Sequence, residues 1–240
     1  MSSISGKVRT ALVALAAATL AACGTAITER GAESRDAAQA APGPALPAEV
    51  TAESFARERA SKGVVLFDVN WGRRWNCGGF ENAELRRIEF DRMPASARSD
   101  DAAGDVVWEV GPSLVTPQRF VNYAALLEPG EYALAGYRIK VAKSVNDILI
   151  LPAIRSRLRN DDPRRQGGSF RVAAGETVYI GNFWLDCHGS PMLWRYYSEG
   201  GRDFNQHLAE YKAKYPFLDL QRVTYRLFET RTHGEPYRLP

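Results

Sequence analysis

The chain has 240 residues, with 31 Lys and Arg against 28 Asp and Glu, a net charge of +3, and 45% hydrophobic and 10% aromatic residues. This is the composition of a globular protein. It excludes a collagen-like repeat, a disulfide-dense miniprotein and a multi-span membrane protein, and +3 over this length is too weak to argue for a nucleic-acid partner.

The N-terminus reads as an address. Lys7 and Arg9 form a basic region, and Ala11 to Ala22 is an unbroken run of apolar or small residues. Such a run suits a signal peptide over residues 1–22 and is too short to span a bilayer as a helix. It closes on Leu20-Ala21-Ala22-Cys23, followed by Gly24. This tetrapeptide resembles the lipobox of bacterial lipoproteins. The resemblance implies that Cys23 becomes the first residue, carrying a thioether diacylglycerol and an N-acyl chain, and that the partner of this end of the chain is the lipid bilayer. Gly24, rather than Asp, after the cysteine implies the periplasmic side of the outer membrane; inner-membrane anchoring is the other outcome of the same chemistry. Three acyl chains exceed what stable anchoring takes. Loss of Lys7 and Arg9 with the leader lowers the net charge from +3 to +1, which argues against binding by bulk electrostatics.

Residues 24–50 hold eight Ala, three Pro and no aromatic residue. Such a segment buries too little apolar surface to offset the entropy of ordering it. With Cys23 it reads as a disordered tether over 23–50, with a reach of roughly 30 Å. All 25 aromatic residues follow, in 51–240, which reads as a single globular domain.

Within that domain Thr51 can cap a short helix ending near Arg59. Gly63 to Asn70 is a strand rich in β-branched and aromatic residues. Shorter strands are expected at 87–90 and 105–110, and a further one at 120–127. Glu128-Pro129-Gly130 is a turn. A longer strand follows over 131–141, with Ala133, Ala135, Tyr137, Ile139 and Val141 on one face and Arg138 and Lys140 on the other. Residues 169–172 and 177–186 form a hairpin. Its second arm puts Val178, Ile180 and Trp184 on one face and Tyr179, Phe183, Leu185 and Cys187 on the other, so both faces are apolar and the strand is central. Strands at 192–197 and 221–228 flank a helix over 203–215, whose Phe204, Leu208, Tyr211 and Tyr215 form one buried stripe.

The expected fold is mainly β: a sandwich of about seven or eight strands, with the C-terminal helix packed on an edge and a short N-terminal helix. Pro129-Gly-Glu-Tyr132, Gly168-Ser-Phe170 and Ala174 to Phe183 resemble a "PGxY" strand and an "F…aGetvYiGnF" hairpin of a group of uncharacterised bacterial lipoproteins. The resemblance covers about a third of the chain and implies the sandwich, without an active site.

Cys77 and Cys187 are the remaining cysteines. In an exported domain two thiols pair, unless they are separately buried. A metal site from Cys77, Cys187 and His188 lacks a fourth, properly spaced ligand, and no cofactor motif is present. Asp186, His188 and Ser190 lie too close in sequence for a catalytic relay. His207 reads as a helix-packing residue and His233 as a solvated loop residue. Asp68 shares a strand face with Val64 and Leu66, where burial would raise its pKa; the commoner outcome is a place at the sheet margin with an Arg partner.

Two stretches suggest binding. Trp71, Arg73, Arg74 and Trp75, near Cys77, combine aromatic faces with guanidinium groups, which suit a glycan or a protein partner; the alternative is that the tryptophans cap the sandwich. Arg155 to Arg165 contains five Arg, which could meet lipid phosphates or form a solvated crossover. The reading is a membrane-anchored, non-enzymatic protein with a structural or interaction role in the cell envelope, facing the periplasm. The alternative is a glycan- or peptidoglycan-binding module using the Trp71–Phe80 loop.

Overall fold

A computed structural model describes residues 49–95, 98–110, 119–158, 166–196, 201–230 and 232–233. The expected leader, Cys23 and the expected tether as far as residue 48 lie outside them. In chain order the elements are α1 (Ala52–Glu58), β1 (Gly63–Asn70), β2 (Arg74–Cys77), β3 (Phe80–Met93), β4 (Val106–Glu109), β5 (Phe120–Leu127) and β6 (Gly130–Ser144). There follow β7 (Asp147–Ala153), α2 (Arg155–Leu158), β8 (Ser169–Val172), β9 (Thr177–Asp186), β10 (Met192–Tyr196), α3 (Gly201–Lys214), a 3-10 turn (Leu220–Arg222) and β11 (Thr224–Tyr225).

The strands build two sheets. One has the order β10-β9-β1-β5, with β11 also on β9; the other has the order β2-β3-β6-β7, with β4 on β3 and β8 on β6. β1 pairs antiparallel with β5 and parallel with β9. Both central strands carry apolar residues on both faces because both faces are covered. Val65, Phe67 and Val69 of β1 point into the inter-sheet core, with Phe90, Trp108, Phe170, Phe183 and Phe228. The rings meet edge to face, as at Phe90 with Phe170 (5.3 Å) and Phe183 with Phe228 (5.3 Å), the geometry the ring quadrupole favours. Val64 and Leu66 point the other way, into a second apolar layer with Tyr179, Tyr211 and Tyr215. Helix α3 thus lies beside edge strand β5 and reaches across onto β1 and β9. Helix α1 is capped as its sequence suggests: Thr51 and Ser54 exchange hydrogen bonds between side chain and backbone N–H, at 2.9 and 3.1 Å.

The sandwich has more strands than the seven or eight legible in the sequence. β2 forms within the Trp71–Phe80 loop, β3 runs through 80–93 rather than 87–90, and β7 appears where no alternation marks it. Segment 221–228 keeps only two strand residues, although the Arg226 and Phe228 N–H groups still donate to Tyr179 and Ile180 on β9.

Two strands break the expected alternation. In β6, Glu89 faces Gly136 while Phe90 faces Leu134, so Ala135 is an extra residue. Tyr132 and Leu134 therefore join Tyr137, Ile139 and Val141 in the inter-sheet core, while Ala133 and Ala135 are buried on the other face. In β9, Leu66 pairs with Tyr179 while Asp68 pairs with Asn182. Gly181, with φ of 102°, lies in this irregular stretch, a conformation that disfavours any side chain. Phe183 and Leu185 therefore share the core with Val178 and Ile180, rather than facing away from them.

Candidate functional site

Cys77 and Cys187 form a disulfide, with Cα atoms 4.6 Å apart. It joins the end of β2 to the end of β9 and pins the β2–β3 hairpin to the opposite sheet. The turn needs its glycines: Gly78 and Gly79 have φ of 59° and 82°, and a Cβ on Gly78 would lie 2.3 Å from the Gly189 carbonyl oxygen.

The four binding candidates separate here. Trp71 is a core residue, 1% exposed, and its indole N–H donates to the Tyr123 hydroxyl at 2.7 Å; it cannot offer a face to a ligand. Trp75 is 59% exposed. The Arg73 guanidinium lies 5.4 Å from its ring centre, and Arg74 lies 5.0 Å from that of Trp184. Arg73 also pairs with the buried Glu84 at 2.5 Å. One exposed aromatic face, with the Arg73 guanidinium against its ring, is what this loop presents; Arg74 is turned to Trp184.

That face continues across the six-stranded sheet. Trp75 pairs with Asn82, Asn82 with Ala142, and Ala142 with Ile148. The next row runs from Glu84 to Lys140 to Ile150. Ile148 and Ile150 are each about half exposed, and Val145 at the hairpin tip is more so. The sequence carries a signal for this region, the unbroken Ile148-Leu149-Ile150-Leu151 run, but without alternation the run does not say which residues face out.

A second constellation lies under α3. Asp68 is fully buried. Its Oδ1 accepts from Asn122 Nδ2 at 2.5 Å and from the Tyr211 hydroxyl at 3.2 Å, and its Oδ2 from the Tyr179 hydroxyl at 2.9 Å. The His207 Nδ1 stands 3.7 Å from Oδ2. Asn182, brought to this face by the β9 irregularity, contacts both the Tyr179 hydroxyl and His207 Nε2. Burial pushes the Asp68 carboxyl up to about 6, against the pull of His207 and of the Tyr179, Asn122 and Tyr211 hydrogen bonds. Asp68 is therefore buried with hydroxyl, amide and imidazole groups as its partners, rather than at the sheet margin with an Arg. Asp68 has no accessible surface, and hydroxyl and amide groups occupy both of its carboxylate oxygens. The cluster ties α3 to β1, β5 and β9.

The other histidines and the Arg-rich stretch also find their places. His233 is buried rather than solvated, edge-on to Tyr137, and desolvation pushes it down to about 4. His188 and Ser190 are exposed, and the contact between His188 and Asp186 is a backbone N–H to carboxylate bond of a turn. Arg155 is not available to phosphates: it grips Asp91 at 2.6 and 3.0 Å and donates to the Ser99 and Ala102 carbonyls. Residues 159–165 lie outside the described residues. Among the described residues no group of three or more His, Cys, Asp or Glu is gathered to hold a metal ion, and no helix is long and apolar enough to cross a membrane.

Compared with family models, curated proteins and solved structures, the chain matches none.

Proposed function

We propose that this chain is a lipid-anchored protein of the bacterial cell envelope, tethered through Cys23 on the periplasmic side of the outer membrane, whose sandwich domain serves as a non-enzymatic interaction module. The observation that carries the reading is the Cys77–Cys187 disulfide. Paired thiols are the state of an oxidising compartment, so the bond supports export, the step that the basic region, apolar run and lipobox specify. The disulfide also holds Trp75 on a pinned hairpin, so its exposed ring is presented without the entropic cost of a mobile loop. The enclosure of Asp68 supports a role other than catalysis.

The test is fractionation of cells expressing the wild type and Cys23→Ser, with the mass of the N-terminal peptide. The wild type should pellet with membranes and begin at an acylated Cys23, and Cys23→Ser should lose the modification. An unmodified wild-type N-terminus, or wild type in the cytosol, refutes the reading.

The exposed Trp75 ring beside Arg73 favours one second reading, a glycan binder that stacks a sugar on Trp75. That reading requires Trp75→Ala to abolish retention of the chain on peptidoglycan.

A further inference from the structure

We propose that the outer face of the six-stranded sheet docks on an anionic phospholipid surface, with Trp75, Ile148 and Ile150 at the headgroup–acyl boundary and Arg138, Lys140 and Lys143 against lipid phosphates. The proposal deepens the anchor reading and rests on it for bringing the domain to a bilayer.

The argument starts from which side chains share the face. The pairings place Trp75 and Ile148 in one row, three strand spacings apart. At about 4.8 Å per spacing, that is roughly 14 Å. Ile150 lies beside Lys140 in the next row, and Arg138 beside Pro152 in the row after that. Lys143 sits at the irregular end of the β6–β7 hairpin, next to Val145. Apolar groups and the cations Arg138 and Lys140 therefore alternate over one surface, with Lys143 at its hairpin end. Among the described residues, no ion pair engages Arg138, Lys140 or Lys143. Glu84, the carboxylate paired with Lys140, is already held by Arg73 and Arg86, and Asp100, beside Arg138 and Ile150, is held by Ser156, which leaves Asp147 and Asp101 as exposed acids next to three cations.

A bilayer interface matches this pattern on both counts. Trp favours the headgroup level, where its ring is half in hydrocarbon and its N–H stays wet. Long cationic side chains reach phosphates while their stems cover apolar surface. A partner strand added along the edge of β7 that pairs with no other strand among the described residues would lie beside Ile148 and Ile150 but would leave Trp75, on the far strand, untouched. A flat surface covers both.

The tether allows this orientation. The described chain begins at Glu49, which bridges Ala125 in the other sheet. Residues 24–48 can extend to roughly 85 Å, while stacked sheets lie only about 10 Å apart.

The test uses the full chain purified from membranes and reconstituted in vesicles of phosphatidylcholine with phosphatidylglycerol, or of phosphatidylcholine alone. Both carry brominated phosphatidylcholine, which quenches nearby indoles. In the mixed vesicles the wild type should be quenched, Trp75→Phe should lose that quenching, and the effect should fall without phosphatidylglycerol. Equal quenching in wild type and Trp75→Phe overturns the proposal. A second measurement needs no anchor: co-sedimentation of the Cys23→Ser chain with the mixed vesicles, with and without Arg138→Gln, Lys140→Gln and Lys143→Gln. Each cation near an anionic surface strengthens binding about fivefold, so the triple change should weaken partition on the order of a hundredfold at low salt. Unchanged partition also overturns the proposal. The N-terminal mass separates the two readings, because an unacylated wild-type Cys23 sinks the anchor while the sedimentation comparison still judges the face. If Trp75→Phe instead lowers retention on peptidoglycan and leaves lipid quenching intact, the face reads a glycan and the proposal is wrong.

Discussion

Replacing Asp68 by Asn should stabilise the protein at neutral pH, and the gain should vanish in acid. Folding moves this carboxyl from an ordinary value of 3.8 to about 6. Between those values the folded chain holds a proton that the unfolded chain has lost. Stability therefore falls as pH rises from about 4 to about 6, and above that the fold carries the full penalty of a buried charge. A shift of this size corresponds to about 3 kcal/mol. Asn fits the surrounding hydrogen bonds. Its Oδ1 can still accept from Asn122 and Tyr211, and its amide can donate to the Tyr179 hydroxyl, which faces the Asn182 carbonyl oxygen. Urea unfolding of both proteins at pH 4, 5, 6 and 7.5 gives the difference directly. Asp68→Asn should be more stable by about 3 kcal/mol at pH 7.5 and close to the wild type at pH 4. Parallel stability curves would refute the reasoning, and so would a less stable variant at pH 7.5. Either result would mean that His207 and the three donors outweigh desolvation.

Three further perturbations probe other parts of the frame. Cys77→Ser with Cys187→Ser opens a 110-residue separation. Loop entropy gives a ceiling of about 4.7 kcal/mol for such a loop, so the melting temperature should fall to that of the reduced wild type; no difference between oxidised and reduced wild type would contradict this. Gly168→Ala should destabilise by about 1–3 kcal/mol or more, because φ is 110° and the new Cβ would lie 2.3 Å from the Phe228 ring; a neutral result in chemical denaturation would show that β8 shifts freely. Among the described residues, Arg155→Met leaves the buried Asp91 with Arg98, at 3.4 Å, and should cost about 3 kcal/mol, most of it recovered when Asp91→Asn is added; a double-mutant cycle without coupling would count against the pairing.

Much of the frame is legible in the residues. Gly63–Asn70 and Thr177–Asp186 read as strands because β-branched and aromatic residues crowd them, and both form over those spans. Thr51 marks a helix start through its hydroxyl, and the two cysteines expected to pair, Cys77 and Cys187, do so. Trp71 and Trp75 are chemically alike and four residues apart, so composition assigns both to one surface. Only the pinned hairpin decides that Trp71 fills the core and Trp75 faces out.

Local sequence determined elements such as α1, β1 and β9 because propensity, capping and periodicity act within a few residues. The Asp68 cluster draws on Asn122, Tyr179 and Tyr211, which lie 54, 111 and 143 residues away. Their meeting depends on strand order and on one extra residue in β9, which turns Asn182 toward Asp68 rather than into the core. The alternating face of Trp75, Lys140 and Ile148 likewise exists only once β2, β3, β6 and β7 are in register. A one-residue slip in a strand exchanges its two faces, so no reading of the separate segments could decide which side chains stand together.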